Sequence, residues 1–410
     1  MGFFVCSDVT AGTEYFDETS ITNAHPLSNL DTPRYRHSAT FVPGVEAPSG
    51  QKGTICVFGG RDVFDNLNYD VECLDPKDGT WWTVGIWDQA TSDNAAFTAH
   101  DIFSDFEGSV DDDSSAFLVG GYDQYYNTLN TVTIFHPKLL SNENGTLKTR
   151  SGKSMIYPRG DFSIIGQVDQ MEYSPGRVDR ALRQNGSSGR KLQQVHMGDE
   201  FAYRYFYAVS GFSTDFCNPL KTTEFYDILT GSWTRSADLI DGRGDFASTS
   251  VDNIPVTIGG EVKNNCSVTV SVDVDGDEIP ISIPDGLIES FLGDTQFGYQ
   301  MGETWTDTGK VDIHRMRFSA ATLGLGIDSP TYIFGGQIEY DPISKTFNIS
   351  DEIFLLTASY KDDNGDDGGD DGGNGQTSPG STLAKSCTFY DVFKHFALGA
   401  LVLDLCHFLF

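Results

Sequence analysis

A short apolar run closed by glycine recurs five times along the chain, and it limits the possible folds more than any other feature. The copies are Ile55-Cys56-Val57-Phe58-Gly59-Gly60, Ala116-Phe117-Leu118-Val119-Gly120-Gly121, Tyr207-Ala208-Val209-Ser210-Gly211, Pro255-Val256-Thr257-Ile258-Gly259-Gly260 and Tyr332-Ile333-Phe334-Gly335-Gly336. β-Branched and aromatic residues in a run too short for a helix read as a strand buried on both faces. The glycines let the chain turn with positive φ where a Cβ would clash. Counted between the last glycines, at 60, 121, 211, 260 and 336, the steps are 61, 90, 49 and 76 residues. A unit of roughly 50 residues, lengthened in places by loop insertions, fits them.

Five copies of one unit in 410 residues point to a single ring or solenoid rather than to two or three separate domains. The formal net charge of -32 repels nucleic acid and anionic membranes and favours cations or basic partners. Seven cysteines are too few for a disulfide scaffold. Cys56 and Cys73 fall within one unit, where buried free thiols are the expectation. Four N-glycosylation sequons, at Asn144, Asn185, Asn265 and Asn348, all fall in predicted loops. The apolar start Met1 to Cys6 has no basic flank and is shorter than a signal-peptide core, which leaves an extracellular or cell-surface location beside a cytoplasmic one.

Units follow in order. Residues 1–32 form a part-unit, because Thr13-Glu14-Tyr15-Phe16-Asp17 parallels Thr223-Glu224-Phe225-Tyr226-Asp227. Five units then span about 33–93, 94–157, 158–240, 241–313 and 314–360. The fourth strand is weakly marked in the second unit and unmarked in the fifth. Asp75, Gly79 and Trp81 repeat as Asp227, Gly231 and Trp233, a hairpin turn followed by a tryptophan that packs between units. The polar stretch 168–200 reads as a loop between first and second strands, and Asp275-Gly276 as the tip of a hairpin. Residues 361–386 form an Asp/Gly-rich linker that cannot bury enough apolar surface to fold. Residues 387–410 form an apolar tail, read as a GPI signal or membrane anchor; its 15-residue apolar run carries Asp404 and is short for a bilayer span.

The glycine-ended strands, the Tyr/Phe-Asp strand and the Asp-x3-Gly-x-Trp spacing together resemble the kelch repeat. The start of each unit adds to the likeness: Arg34-Tyr35-Arg36-His37, Arg159-Gly160-Asp161-Phe162, Arg243-Gly244-Asp245-Phe246 and Arg315-Met316-Arg317-Phe318 occupy one repeat position, with Asn94 in place of the arginine in the second unit. The resemblance covers about residues 13–360. It implies an all-β fold, a β-propeller of four-stranded antiparallel blades, six in number or seven if the N-terminus is truncated. The N-terminal part-blade is expected to complete the ring.

In such a ring the first strands line the channel, so Arg34, Arg36, Arg159, Asp161, Arg243, Asp245, Arg315 and Arg317 would form a net positive rim at one mouth. That rim is read as the binding site for a protein or peptide partner with acidic side chains. Charge reversal at Arg159, Arg243 and Arg315 is then expected to abolish capture without unfolding the ring. The Arg-Gly-Asp tripeptides at 159–161 and 243–245 are repeat positions rather than adhesion motifs. Asp273, Asp275 and Asp277 alternate as calcium ligands do, but Glu278 and Pro284 stand where a calcium loop needs glycine and glutamate. A copper oxidase of galactose-oxidase type is the rival suggested by the same resemblance. Of eight histidines only His37 and His100 fall on predicted channel strands, so the reading carries no enzyme, metal or cofactor. A carbohydrate-binding surface protein is the other alternative.

Overall fold

The computed structural model describes residues 14–15, 25–100, 114–136, 145–168, 203–213, 218–251, 254–274, 277–292, 304–310, 314–322, 331–341, 346–350, 353–357 and 388–391. The linker 361–386, the stretch 169–202, Asn144, Asn185 and the tail apart from 388–391 lie outside the described residues.

Among the described residues every regular element is a strand. The first sheet holds β3 (Ser38–Glu46), β4 (Lys52–Phe58), β5 (Asp70–Asp75) and β6 (Thr80–Ile86), and it follows a two-stranded β1 (Glu14–Tyr15) and β2 (His25–Pro26). The second holds β7 (Ala95–His100), β8 (Ser114–Val119), β9 (Val132–Phe135) and β10 (Thr149–Ser151). The third holds β11 (Ser163–Val168), β12 (Tyr203–Val209), β13 (Thr223–Asp227) and β14 (Ser232–Arg235). The fourth holds β15 (Ala247–Val251), β16 (Ile254–Val274), β17 (Asp277–Leu292) and β18 (Thr304–Lys310). In the fifth, β19 (Ser319–Thr322) and β20 (Thr331–Phe334) are followed by a separate hairpin, β21 (Gln337–Asp341) and β22 (Thr346–Ile349), before β23 (Ile353–Thr357) and β24 (Thr388–Asp391). All five sheets are four-stranded and antiparallel.

Several expectations are corrected here. The second sheet has its fourth strand in β10. The fifth obtains its fourth from β24, which the sequence reading places in the tail, while β1 and β2 pair with each other. Asn265 and Asn348 lie on β16 and β22 rather than in loops, although Asn348 is exposed. Cys56 and Cys73 face each other across β4 and β5, with Cα atoms 4.1 Å apart, and form a disulfide. Closing a loop of 17 residues constrains the unfolded chain. Replacing the pair as Cys56→Ala with Cys73→Val is expected to cost about 2–3 kcal/mol in urea unfolding. Wild-type protein unfolded in excess reductant should show the same loss.

The glycine pairs close the second strands with left-handed residues at both places, φ 66° and 86° at Gly59 and Gly60 and 61° and 88° at Gly120 and Gly121. Four of the five second glycines donate their N–H to the lead-in of the following sheet: Gly60 to Thr91 O (3.0 Å), Gly121 to Arg159 O (2.8 Å), Gly211 to Arg243 O (2.8 Å) and Gly260 to Arg315 O (2.9 Å). The repeated glycine therefore joins neighbouring sheets. First strands lie side by side, with Thr40 and Thr98 hydroxyls 3.1 Å apart, Thr249 and Thr322 2.7 Å apart, and Ser163 hydrogen-bonded to Ser248. Apolar side chains fill the space between sheets: Phe97 of β7 stacks on Phe206 of β12 at 3.9 Å, and Phe58 meets Phe135 edge-on at 5.7 Å. Trp233 packs against the cluster that holds Phe97 and Phe206, in the inter-sheet place its spacing predicts. The preceding turn is closed by Gly231 N–H to Asp227 O and by Leu229 N–H to the Asp227 carboxylate.

Candidate functional site

The lead-in to each first strand contributes two residues of opposite fate, two positions apart. Arg34, Arg159, Arg243 and Arg315 are at most 2% exposed and point into their own sheets. Each donates through Nη1 to the carbonyl of the first residue of its glycine pair: Gly59 (3.2 Å), Ser210 (2.7 Å), Gly259 (2.9 Å) and Gly335 (2.8 Å). Three of them also meet a glutamate on the third strand, Arg34 with Glu72, Arg159 with Glu224 (2.8 Å) and Arg243 with Glu289 (2.5 Å). Burial pulls the Arg34 and Arg159 guanidiniums below their ordinary values despite these partners, and pushes Glu289 up.

The same glutamates hold the chain that leads in. Glu72 accepts from Asp31 N–H (2.6 Å), Glu224 from Ile156 N–H (2.6 Å) and Glu289 from Ile240 N–H (2.8 Å), each three residues before the arginine. In the second sheet the arginine's place is held by Thr91, whose carbonyl receives Gly60, and not by Asn94. The glutamate's place across from β8 is held by Thr133. Both charges are missing together, as expected of a structural pair. The positive rim expected from Arg34, Arg159, Arg243 and Arg315 is thus not at the surface, because a repeat position shared by four units does not tell which way the side chain turns.

Arg36, Asp161, Asp245 and Arg317 are brought together, and the structure adds Asp93, which the sequence reading missed by aligning Asn94 with the arginines. All five have left-handed backbones, φ 57°, 50°, 51°, 53° and 51° respectively. Aspartate tolerates that region better than most residues; arginine does not. Successive lead-ins are joined through these residues by Asp93 N–H to Arg36 O (2.8 Å), Asp245 N–H to Asp161 O (3.2 Å) and Arg317 N–H to Asp245 O (2.7 Å). Their side chains gather into one charged cluster at the start of the first strands, a mouth framed by the lead-ins. Arg36 pairs with Asp93 at 3.3 Å and Arg317 with Asp245 at 3.0 Å. Asp161 accepts from Tyr122 Oη at 2.9 Å and lies against Asp93 and Asp245. Burial and those two carboxylates push its pKa well above the usual range, against the pull of Arg36. Among the described residues two Arg–Asp pairs and one surplus carboxylate remain.

The loops after the first two glycine pairs wall this mouth. Asp62 accepts from Phe64 and Asn66 N–H, and Asp123 from Tyr125 and Asn127 N–H, so the two loops have one shape. They are tied together by Leu67 N–H to Gln124 Oε1 (2.9 Å) and by Tyr126 Oη to Asp65 (2.6 Å). Tyr35 Oη also donates to Asp65 (2.7 Å), and Arg61 stacks over Tyr126 at 3.8 Å. Burial and the Asp65 contact push Tyr126 up to about 12.

The Arg-Gly-Asp tripeptides are explained residue by residue. The arginine is buried against glutamate, and the aspartate joins the mouth. A Cβ on Gly160 would meet the Tyr122 ring at 2.2 Å, and one on Gly244 the Phe212 ring at 2.0 Å.

The chain shares its fold with the solved structure of YjhT. The likeness has a TM-score of 0.53 at 12% identity and covers 85% of this chain and 95% of YjhT. No family model matches the chain, and no curated protein matches it in sequence. Among the described residues no group of three or more His, Cys, Asp or Glu is arranged to hold a metal ion. His37, read as a channel residue, is buried beneath Gly60.

Proposed function

We propose that the chain is a kelch-type β-propeller working as a protein-interaction module, with its partner seated at the mouth formed by Arg36, Asp93, Asp161, Asp245 and Arg317. The observation that carries this reading is the convergence of five charged side chains on left-handed backbones at one mouth. Backbone in that region costs free energy in a non-glycine residue, and such strain concentrates at functional sites. The ring has six blades in this reading, the five four-stranded sheets together with one to which β1 and β2 contribute. Display outside the cell or at its surface is supported by the Cys56–Cys73 disulfide, which persists in oxidising compartments, and by the exposed sequon residue Asn348.

The test is a partner-retention assay. A photocrosslinking residue placed at Tyr125 should label one protein partner. The double variant Asp93→Asn with Asp245→Asn removes two carboxylates, keeps residues that accept a left-handed backbone, and should reduce its retention about tenfold, corresponding to ~1.4 kcal/mol. Both changes leave the buried Arg–Glu pairs intact, so thermal unfolding should barely move. Labelling and retention that survive the double variant would place the partner elsewhere on the ring.

A further inference from the structure

We infer that the mouth receives a basic side chain, arginine or lysine, from a partner segment that also presents apolar residues to Phe64 and Tyr125. The inference rests on the proposed interaction site and names the chemistry of what occupies it.

Two independent observations lead there. The first is exposure. Phe64 and Tyr125 are 80% and 79% exposed and stand at matching places on the two tied loops, with Val63 beside them at 67%. One exposed apolar side chain is ordinary, whereas aromatics repeated at equivalent tips beside a charged mouth form a contact surface. The loops also hold these tips rigidly, through the Asp62 and Asp123 turns and the Tyr126–Asp65 hydrogen bond, so little conformational freedom is lost on binding.

The second is charge. Among the described residues Arg36 and Arg317 are each paired with an aspartate, so Asp161 shares the pull of Arg36 with Asp93 and the carboxylates outnumber the arginines, and Asp62 and Asp123 add carboxylates on the aromatic loops. The groups facing Asp161 are Asp93, Asp245, Arg36 and Tyr122. An incoming guanidinium or ammonium supplies the missing positive charge and removes the repulsion among the three aspartates. An acidic side chain would add a fourth carboxylate, so the acidic partner expected from the sequence is disfavoured. The chain's charge of -32 acts in the same direction at long range.

Binding should also release a proton. The crowded Asp161 carboxyl holds its proton above the normal range, and a bound cation favours the ionised form. Affinity for a basic segment therefore rises as pH is raised through the Asp161 titration and levels off above it.

The experiment uses the full chain and four labelled octapeptides that differ only at one central residue, Arg, Lys, citrulline or Glu, flanked by phenylalanines. Fluorescence anisotropy at pH 5 and pH 8 gives affinity, and calorimetry in two buffers of different ionisation heat gives proton release. The arginine and lysine peptides should bind at least about tenfold more tightly than citrulline or glutamate, with affinity greater at pH 8. Asp161→Asn should erase both the preference and the proton release. Asparagine has the same shape and accepts a left-handed backbone, and its melting temperature checks the fold. Phe64→Ala with Tyr125→Ala should weaken all four peptides alike. Equal binding of citrulline, or tighter binding of glutamate, overturns the basic class while leaving the mouth as the interaction site. Failure of all four, with partner retention still dependent on Asp93 and Asp245, likewise overturns the basic class; failure of both experiments overturns the site itself.

Discussion

Glu224→Ala is expected to destabilise the protein by about 3–5 kcal/mol, because it strands a buried charge. Arg159 is fully buried and would lose the carboxylate 2.8 Å away, and the N–H groups of Ile156 and Tyr157 would lose their acceptor. Water cannot replace the glutamate without opening the third sheet. The second sheet shows the remedy: where Thr91 and Thr133 stand in the equivalent places, neither charge is present. The double variant Arg159→Thr with Glu224→Thr should therefore recover a large part of the loss. Urea unfolding of the wild type and of both variants measures this, and the explanation fails if single and double variants unfold at the same midpoint. Reversing charge at Arg159, Arg243 and Arg315 would bury anions beside Glu224 and Glu289, so unfolding is now the expected result rather than loss of capture alone.

The repeat frame was legible because its cause is local. Gly60, Gly121, Gly211, Gly260 and Gly336 need φ between 86° and 102°, a demand that leaves a visible residue type in the sequence. The hairpin of β16 and β17 is equally local, with Val274 paired to Asp277. Direction of side chains was not legible. Arg34 and Arg36 are two residues apart and of one type, yet one is sealed in a sheet and the other opens on the mouth. The difference is set by the left-handed turn at Arg36 and by Glu72, which lies 38 residues from Arg34. A signal was nevertheless present, since Glu72, Glu224 and Glu289 recur on the third strands of three of the four sheets whose lead-in carries the buried arginine, with Phe354 at that register in the fifth, and Thr133 replaces glutamate where Thr91 replaces arginine. Pairing those two columns would have separated Arg34, Arg159 and Arg243 from the mouth and shown that Asp93, not Asn94, continues the site. The fifth sheet's last strand was hidden for another reason. It comes from residues 388–391, beyond an Asp/Gly-rich stretch, and four residues carry too little pattern to be recognised.

The same local demand gives the other large effect. Gly121→Ala is expected to cost about 3–5 kcal/mol, combining a left-handed backbone for a residue with a side chain (about 1–2 kcal/mol) with overpacking (about 1–3 kcal/mol, near its upper end). The upper end applies because the new Cβ would sit 2.4 Å from Ser92 O and 2.9 Å from Asn94 N, backbone atoms that cannot rotate aside. Those atoms belong to the lead-in of the same sheet, while the Gly121 N–H bonds Arg159 O at the lead-in of the next. Relief of the clash therefore pulls apart the second and third sheets. Residue 210, at the first place of its pair, should behave differently. Ser210 already carries a Cβ at φ 56°, with its hydroxyl accepting from Arg243 N–H and donating to Leu220 O. Ser210→Gly relieves the backbone and loses those hydrogen bonds, two changes of opposite sign that should leave stability within about 1 kcal/mol of wild type. Thermal and urea unfolding of the two variants side by side make the comparison. A Gly121→Ala protein that unfolds with the wild type would mean that the second glycine does not hold neighbouring sheets together, and the mouth that those contacts position would need another support.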